Sequence, residues 1–287
     1  MERGTRSIRL RDGRRLTYAE WGEPDGAPLL FFHGGNGSRL ERHPDDEIAV
    51  RTGVRLLTMD RPGHGGSHFA RRGFVDGAMD VNELADALAI ERLAVAGWSG
   101  GTPFVLACAH QLPQRITRAL VSGTLAPVHE DLTREMPWHA RMIIALCRTS
   151  PSLAYPLFAG RQRRRSHDLA AFLEGSARHS APRDQELLLR QDLRPMFLAS
   201  FREGIRTGIA GAAWGALLSA RPWGFDLGAI RIPVEVWQGT DDRQTPLAFA
   251  RIVRDSIAGA CLREFPGEGH LLLLDHWQEM LEWSRAA

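Results

Sequence analysis

The chain has 287 residues, enough for one large domain or one domain carrying an insertion. Its apolar share of 44% and charged share of 24% are those of an ordinary globular protein, and a net charge of +2 argues against binding to nucleic acid or to a membrane surface. All 36 basic residues are arginine. No apolar run approaches the ~20 residues needed to span a bilayer, and Met1-Glu2-Arg3-Gly4-Thr5-Arg6 has no apolar stretch of a secretory signal. Cys108, Cys147 and Cys261 are far apart and odd in number, which predicts free, buried thiols in a reducing compartment. A cytoplasmic location is expected.

Ser7–Leu10 and Arg14–Tyr18 read as strands around an Asp12-Gly13 hairpin turn. Leu29-Leu30-Phe31-Phe32 is wholly apolar, the pattern of a strand covered on both faces, and runs into the glycine-rich His33-Gly34-Gly35-Asn36-Gly37-Ser38. A helix is expected over Pro44–Thr52, a strand over Arg55–Met59, and a helix over Phe74–Leu88, where Val81, Leu84, Ala85 and Leu88 have helical spacing. A strand over Ala94–Trp98, a helix over Thr102–Gln111 closed by Pro113, and a strand over Ile116–Ser122 follow. This alternation predicts a parallel sheet with helices on both faces. It stops after Pro127. Helices are then expected at Arg141–Arg148, Asp168–Ala177, Gln185–Leu193 and Phe197–Thr207. Alternation resumes with strand Val234–Trp237, helix Leu247–Ile257, strand Cys261–Phe265 and helix Leu271–Arg285. The simplest organisation is one α/β unit interrupted by a helical insertion.

Gly97-Trp98-Ser99-Gly100-Gly101 is a G-x-S-x-G sequence in strand–turn–helix context. Small residues two before and two after a serine let strand and helix approach closely, while the hydroxyl stands clear of the sheet. A serine nucleophile needs a base, an orienting acid and donors for the oxyanion. The loop after Val234–Trp237 holds Asp241 and Asp242, either of which could be the acid; the loop after Cys261–Phe265 holds His270. Serine, then aspartate, then histidine is the chain order of G-x-S-x-G hydrolases.

Five motifs in order carry a resemblance: His33-Gly34-Gly35, Asp60-Arg61-Pro62-Gly63-His64-Gly65-Gly66-Ser67, Gly97-Trp98-Ser99-Gly100-Gly101, Gly239-x-x-Asp242-x-x-x-Pro246 and Gly269-His270. The sequence resembles the α/β-hydrolase superfamily, in its capped esterase, lactonase and peptidase branch. The resemblance implies an α/β-hydrolase fold with a mostly parallel eight-stranded sheet, helices on both faces and an inserted helical cap. Residues 1–127 and 229–287 would form the core and 128–228 the cap. It implies Ser99 as nucleophile, His270 as base and then acid, and Asp242 as the orienting acid, the motif spacing favouring Asp242 over Asp241. The N–H groups of Gly35 and Gly100 would bind the oxyanion. His33 and His64 lie inside motifs and read as loop-organising.

Serine at the elbow disfavours the family's epoxide hydrolases and haloalkane dehalogenases, which place aspartate there. His33-Gly34-Gly35 is similar to proline iminopeptidases, but their tryptophan follows the serine and Trp98 precedes it. The expected activity is hydrolysis of a small or medium-sized apolar ester or lactone through an acyl-serine, without cofactor. The alternatives are amide or C–C hydrolysis or biosynthetic acyl transfer on the same triad, and a receptor-like protein on this scaffold. Asn36, Trp98, Met142 and Leu146 are candidate pocket residues; Met142, Ile143 and Leu146 read equally as cap packing. His129 and His139 have no metal-ligand spacing, and no metal is expected. Arg161, Arg163, Arg164 and Arg165 read chiefly as a solvated face, with attraction of an acidic substrate as the minority reading. The expected partner is a small molecule, neither nucleic acid nor membrane, and the expected state is monomer or homodimer.

Overall fold

The computed structural model describes residues 4–127 and 138–285. Eight strands form one sheet: β1 (Thr5–Arg9), β2 (Arg15–Gly22), β3 (Ala27–Phe32), β4 (Val54–Met59), β5 (Leu93–Trp98), β6 (Ile116–Ser122), β7 (Val234–Gly239) and β8 (Cys261–Phe265). Their spatial order is β1-β2-β4-β3-β5-β6-β7-β8. Strand β2 runs antiparallel to both β1 and β4, and the other pairings are parallel.

Period-two alternation divides the apolar strands between two cores. Leu30 and Phe32 face α2 (Phe74–Ala87) and α3 (Thr102–Gln111), in a cluster that includes Phe74, Val81 and Phe104. Leu29 and Phe31 face the other side, with Ile48 of α1 (Glu47–Arg51) and Trp277 and Met280 of α11 (Trp277–Arg285). Helix α10 (Leu247–Ser256) covers the first face through Ala250 and Val253. Double coverage is why these strands read as continuous apolar runs.

Between β6 and β7 the described residues form α4 (Trp138–Thr149), α5 (Pro151–His167), α6 (Leu169–His179), α7 (Pro182–Leu189), α8 (Leu193–Gly204) and α9 (Ala210–Ser219). Helices α5 and α9 were not singled out in the sequence. Pro151 opens α5 at a position where its missing N–H costs nothing, and Pro156 lies inside the helix. The expected Gln185–Leu193 helix is two elements, because Arg190 is extended between α7 and α8. His129 and the first residues of the expected 128–228 insertion lie outside the described residues.

Cys108 and Cys147 are buried, as expected of free thiols, but Cys261 is exposed. It lies on β8, the strand at the sheet edge, most of whose side chains are exposed. Among the described residues no helix is long and apolar enough to cross a membrane.

Candidate active site

Strand β5 ends at Trp98, and Ser99 adopts a left-handed backbone with φ of 49°. A non-glycine residue in that region stores about 1–3 kcal/mol, which the surroundings must hold. The flanking glycines make the turn possible. A Cβ on Gly97 would stand 2.9 Å from Val105, and one on Gly101 would stand 2.5 Å from the Phe32 carbonyl. Helix α3 therefore starts directly behind the serine, with Ser99–Gly101 as a short 3-10 turn.

His270 follows β8 and Asp242 follows β7. Both are buried, and His270 Nδ1 lies 2.8 Å from Asp242 Oδ2. The rest of the Asp242 carboxylate is also saturated. Oδ1 accepts the Gln244 and Thr245 amides at 2.8 and 2.9 Å, and Oδ2 accepts Thr245 Oγ1 at 2.6 Å and Gln238 Nε2 at 2.9 Å. Burial alone would raise this carboxyl's pKa, but the His270 ring and the hydroxyl and amide of Thr245 bring it down to about 2. Burial opposes charge on His270 too, yet Asp242 and its hydrogen bond raise the pKa above 6.5. Asp241 is exposed and hydrogen-bonds Thr240, so the geometry selects Asp242 as the partner of His270.

The histidine loop is held from the helical segment. Asp184 of α7, itself buried, accepts the His270 and Leu271 amides, each at 2.8 Å. A Cβ on Gly269 would fall 2.3 Å from that carboxylate, which explains the glycine before the histidine. On the other side, Gly123 at φ 51° leaves room for the imidazole; a Cβ there would be 2.8 Å from Nδ1.

Gly35 and Gly100 come together, with 3.0 Å between the Gly35 amide and a Cβ built on Gly100. The Gly34 carbonyl accepts His33 Nδ1 at 2.8 Å and Arg61 Nη2 at 2.7 Å. That carbonyl and the Gly35 N–H belong to one trans peptide, so pinning the oxygen aims the N–H the opposite way. Among the described residues the Gly35 N–H has no acceptor. Arg61 Nη1 also holds the Gly100 carbonyl at 2.9 Å, tying the two loops together. The Arg61 amide donates to His33 Nε2, which leaves the proton on Nδ1 and the ring neutral; burial favours the same state. His64, bonded to the Gly37 carbonyl, is held down to about 3 by burial. Both histidines organise loops. Glu41 completes the frame: its buried carboxylate accepts the Gly34 amide and the Trp98 indole N–H.

One cavity of about 220 Å³ brings together Ser99, His270, Gly35, Asn36 and Trp98. Its apolar wall comes from α6, α7 and α8 through Phe172, Leu173, Leu188, Phe197 and Phe201. Trp98 lies nearly parallel to Phe197 on one side and to the His270 ring on the other. Met142 and Leu146 are elsewhere, which corrects their assignment as pocket residues. Helix α4 packs on α5 rather than over the sheet. Met142 is 62% exposed, and both residues line a separate groove with Trp138 and Leu157.

The comparisons with known proteins agree with the fold. Residues 27–276 match the family model of the alpha/beta hydrolase fold. The chain belongs to the alpha/beta hydrolase fold family. This α/β hydrolase is 26% identical to a non-heme chloroperoxidase of Streptomyces lividans over 94% of each chain. It is 27% identical to a pimeloyl-[acyl-carrier protein] methyl ester esterase of Chromobacterium violaceum over 87% of each. The enol-lactonase of Burkholderia xenovorans LB400 shares the fold, with a TM-score of 0.68 at 19% identity and 97% coverage of both chains.

Sequence reasoning did not single out Glu41, Asp184, Gln238 or Thr245, and gave Arg61 no role of its own. Arg61 stands inside a quoted motif, and Gln238 and Thr245 inside the acid loop. Asp184 had no local signal, lying 86 residues from its partner.

Proposed function

We propose that this enzyme cleaves a carboxylic ester or lactone of a small to medium-sized apolar substrate through an acyl-serine intermediate. The observation that carries the reading is the strained Ser99 sharing one cavity with a buried His270–Asp242 pair. Ser99 attacks the carbonyl while His270 takes its proton through Nε2, the nitrogen left free by the bond to Asp242. The oxyanion forms at the Gly35 and Gly100 amides. His270 then protonates the leaving alkoxide, and water repeats the sequence to release the acid. Each oxyanion donor supplies about 3 kcal/mol of transition-state stabilisation. The saturated Asp242 carboxylate keeps the imidazole in one tautomer and balances the imidazolium.

The size of the cavity supports a modest substrate, since sites for drug-sized ligands are about 300–1,000 Å³. In this reading the helices of residues 128–228 act as a cap that sets specificity, over a core of residues 1–127 and 229–287. The test is intact-mass labelling with a fluorophosphonate. A single adduct on the wild type and none on Ser99→Ala is expected, with Ser99→Ala also inactive on a panel of p-nitrophenyl esters and lactones. Equal labelling of the two proteins would remove Ser99 as the nucleophile.

A further inference from the structure

Three charged or titratable side chains line the cavity beside Ser99: Glu41, His270 and Arg165. Two are already engaged. Glu41 is held by Gly34 and Trp98, and His270 by Asp242. Arg165, at the C-terminal end of α5, has no hydrogen bond or ion pair among the described residues. It is half-buried, with its guanidinium 5.2 Å from the centre of the Phe172 ring. Arg39, by contrast, pairs with Asp60 and Glu203, and Arg183 with Asp275 and Glu186.

Among the described residues no carboxylate forms an ion pair with Arg165. Arg161 is like-charged, and together with burial it draws the Arg165 pKa down to about 10, which leaves a cation at neutral pH. Asp168 lines a shallow groove with Arg165, but its Oδ1 caps α6 by accepting the Ala171 amide, and among the described residues it makes no ion pair with Arg165. Arg163, Arg164 and His167 line the same groove, which shares Arg165 and Phe172 with the cavity. The approach to the site is therefore predominantly basic, although the molecule as a whole is nearly neutral. A half-desolvated guanidinium without a counter-charge favours an incoming carboxylate, whose two oxygens match its fork of donors.

We propose that Arg165 is the specificity-determining residue of this site and binds a terminal carboxylate, making the substrates half-esters of short dicarboxylic acids. The apolar wall from Phe172 to Phe201 takes the methylene chain, Ser99 takes the ester carbonyl, and Arg165 takes the far end. The inference rests on the acyl-transfer reading of Ser99 and replaces a wholly apolar substrate with an apolar chain that ends in a carboxylate.

The test uses paired alkyl fluorophosphonates of graded chain length, one member of each pair ending in a carboxylate and the other in the carboxamide. The readout is the ratio of second-order rate constants for Ser99 labelling, followed by intact mass on the full chain. At the best chain length the wild type is expected to prefer the carboxylate by about tenfold or more, the scale of a charge-assisted hydrogen bond. Arg165→Gln should bring the ratio toward one, Arg165→Lys should keep part of it, and Arg165→Glu should reverse it. A wild-type ratio near one at every length, or a ratio that survives Arg165→Gln and Arg165→Glu, overturns the inference and leaves the acyl-transfer reading standing. Failure of both probes to label Ser99 overturns both. If Arg165→Gln does not fold, the wild-type and Arg165→Lys ratios decide the matter.

Discussion

At Ser99 the main chain is held in a conformation that a serine avoids. The strain persists because Gly97 and Gly101 let β5 and α3 close around it. The same economy governs His270. In the proposed reaction it must be neutral to accept the serine proton, and the Asp242 charge raises its pKa above 6.5 despite burial. The neutral fraction falls as pH drops through that raised value, so the acid limb of kcat/KM is expected above pH 6.5. Asp242→Asn removes the charge that raises it and should move the limb to lower pH. It should also lower the plateau by about 10⁴-fold through loss of the productive tautomer. A limb that stays in place in Asp242→Asn would show that another group controls the profile. Of these residues, Ser99, His270 and Asp242 were legible because each sits in a short motif at a strand end. Arg61, within another motif, was seen as sequence, but its hold on Gly34 and Gly100 is a contact between three loops.

Among elements, α7 is the one whose effect on the site is least expected from its position in the chain. Through Asp184 it supplies both acceptors for the start of the His270 loop. Asp184→Ala would leave two buried N–H groups unpaired, at about 1–3 kcal/mol each. It should lower unfolding stability by roughly 2 kcal/mol or more and slow Ser99 labelling, because His270 loses its backbone anchor. Asp184→Asn keeps one acceptor and should fall between. Denaturant midpoints beside labelling rates check both; an undisturbed rate in a destabilised Asp184→Ala would limit Asp184 to a stabilising role. The edge strand β8 shows the converse. Its length was readable from the pattern, but Cys261 is exposed because the strand ends the sheet, which nothing in its five residues states.

Across the whole molecule, the helical segment and the sheet loops meet backbone to backbone. A Cβ on Gly204, at the end of α8, would stand 2.5 Å from the Gly37 carbonyl and 2.6 Å from that of Asn36. Close by, Arg39 bridges Asp60 and Glu203, and Ser200 Oγ accepts the Ser38 amide. These contacts join α8 to the loop that carries Gly35. Gly204→Ala is therefore expected to cost about 1–3 kcal/mol by overpacking, a fall in Tm of about 2–4 °C per kcal/mol, and to slow Ser99 labelling. Unchanged labelling in a destabilised Gly204→Ala would show that the loop carrying Gly35 holds its shape without α8.

The sequence by itself determined the order of the sheet strands and of the helices that alternate with them, the place where a helical segment interrupts them, and the strand-end positions of Ser99, Asp242 and His270. Those features depend on residues within a few positions of one another: apolar periodicity, glycines at a tight turn, and short motifs at strand ends. The tertiary structure alone decided which helices wall the cavity, that Met142 and Leu146 face a different groove, and that Asp184 and Arg165 come to the site. Those outcomes depend on how the helices between β6 and β7 pair with one another and with the loops of the sheet, and helix packing is set by the shapes of both partners rather than by either segment's own pattern.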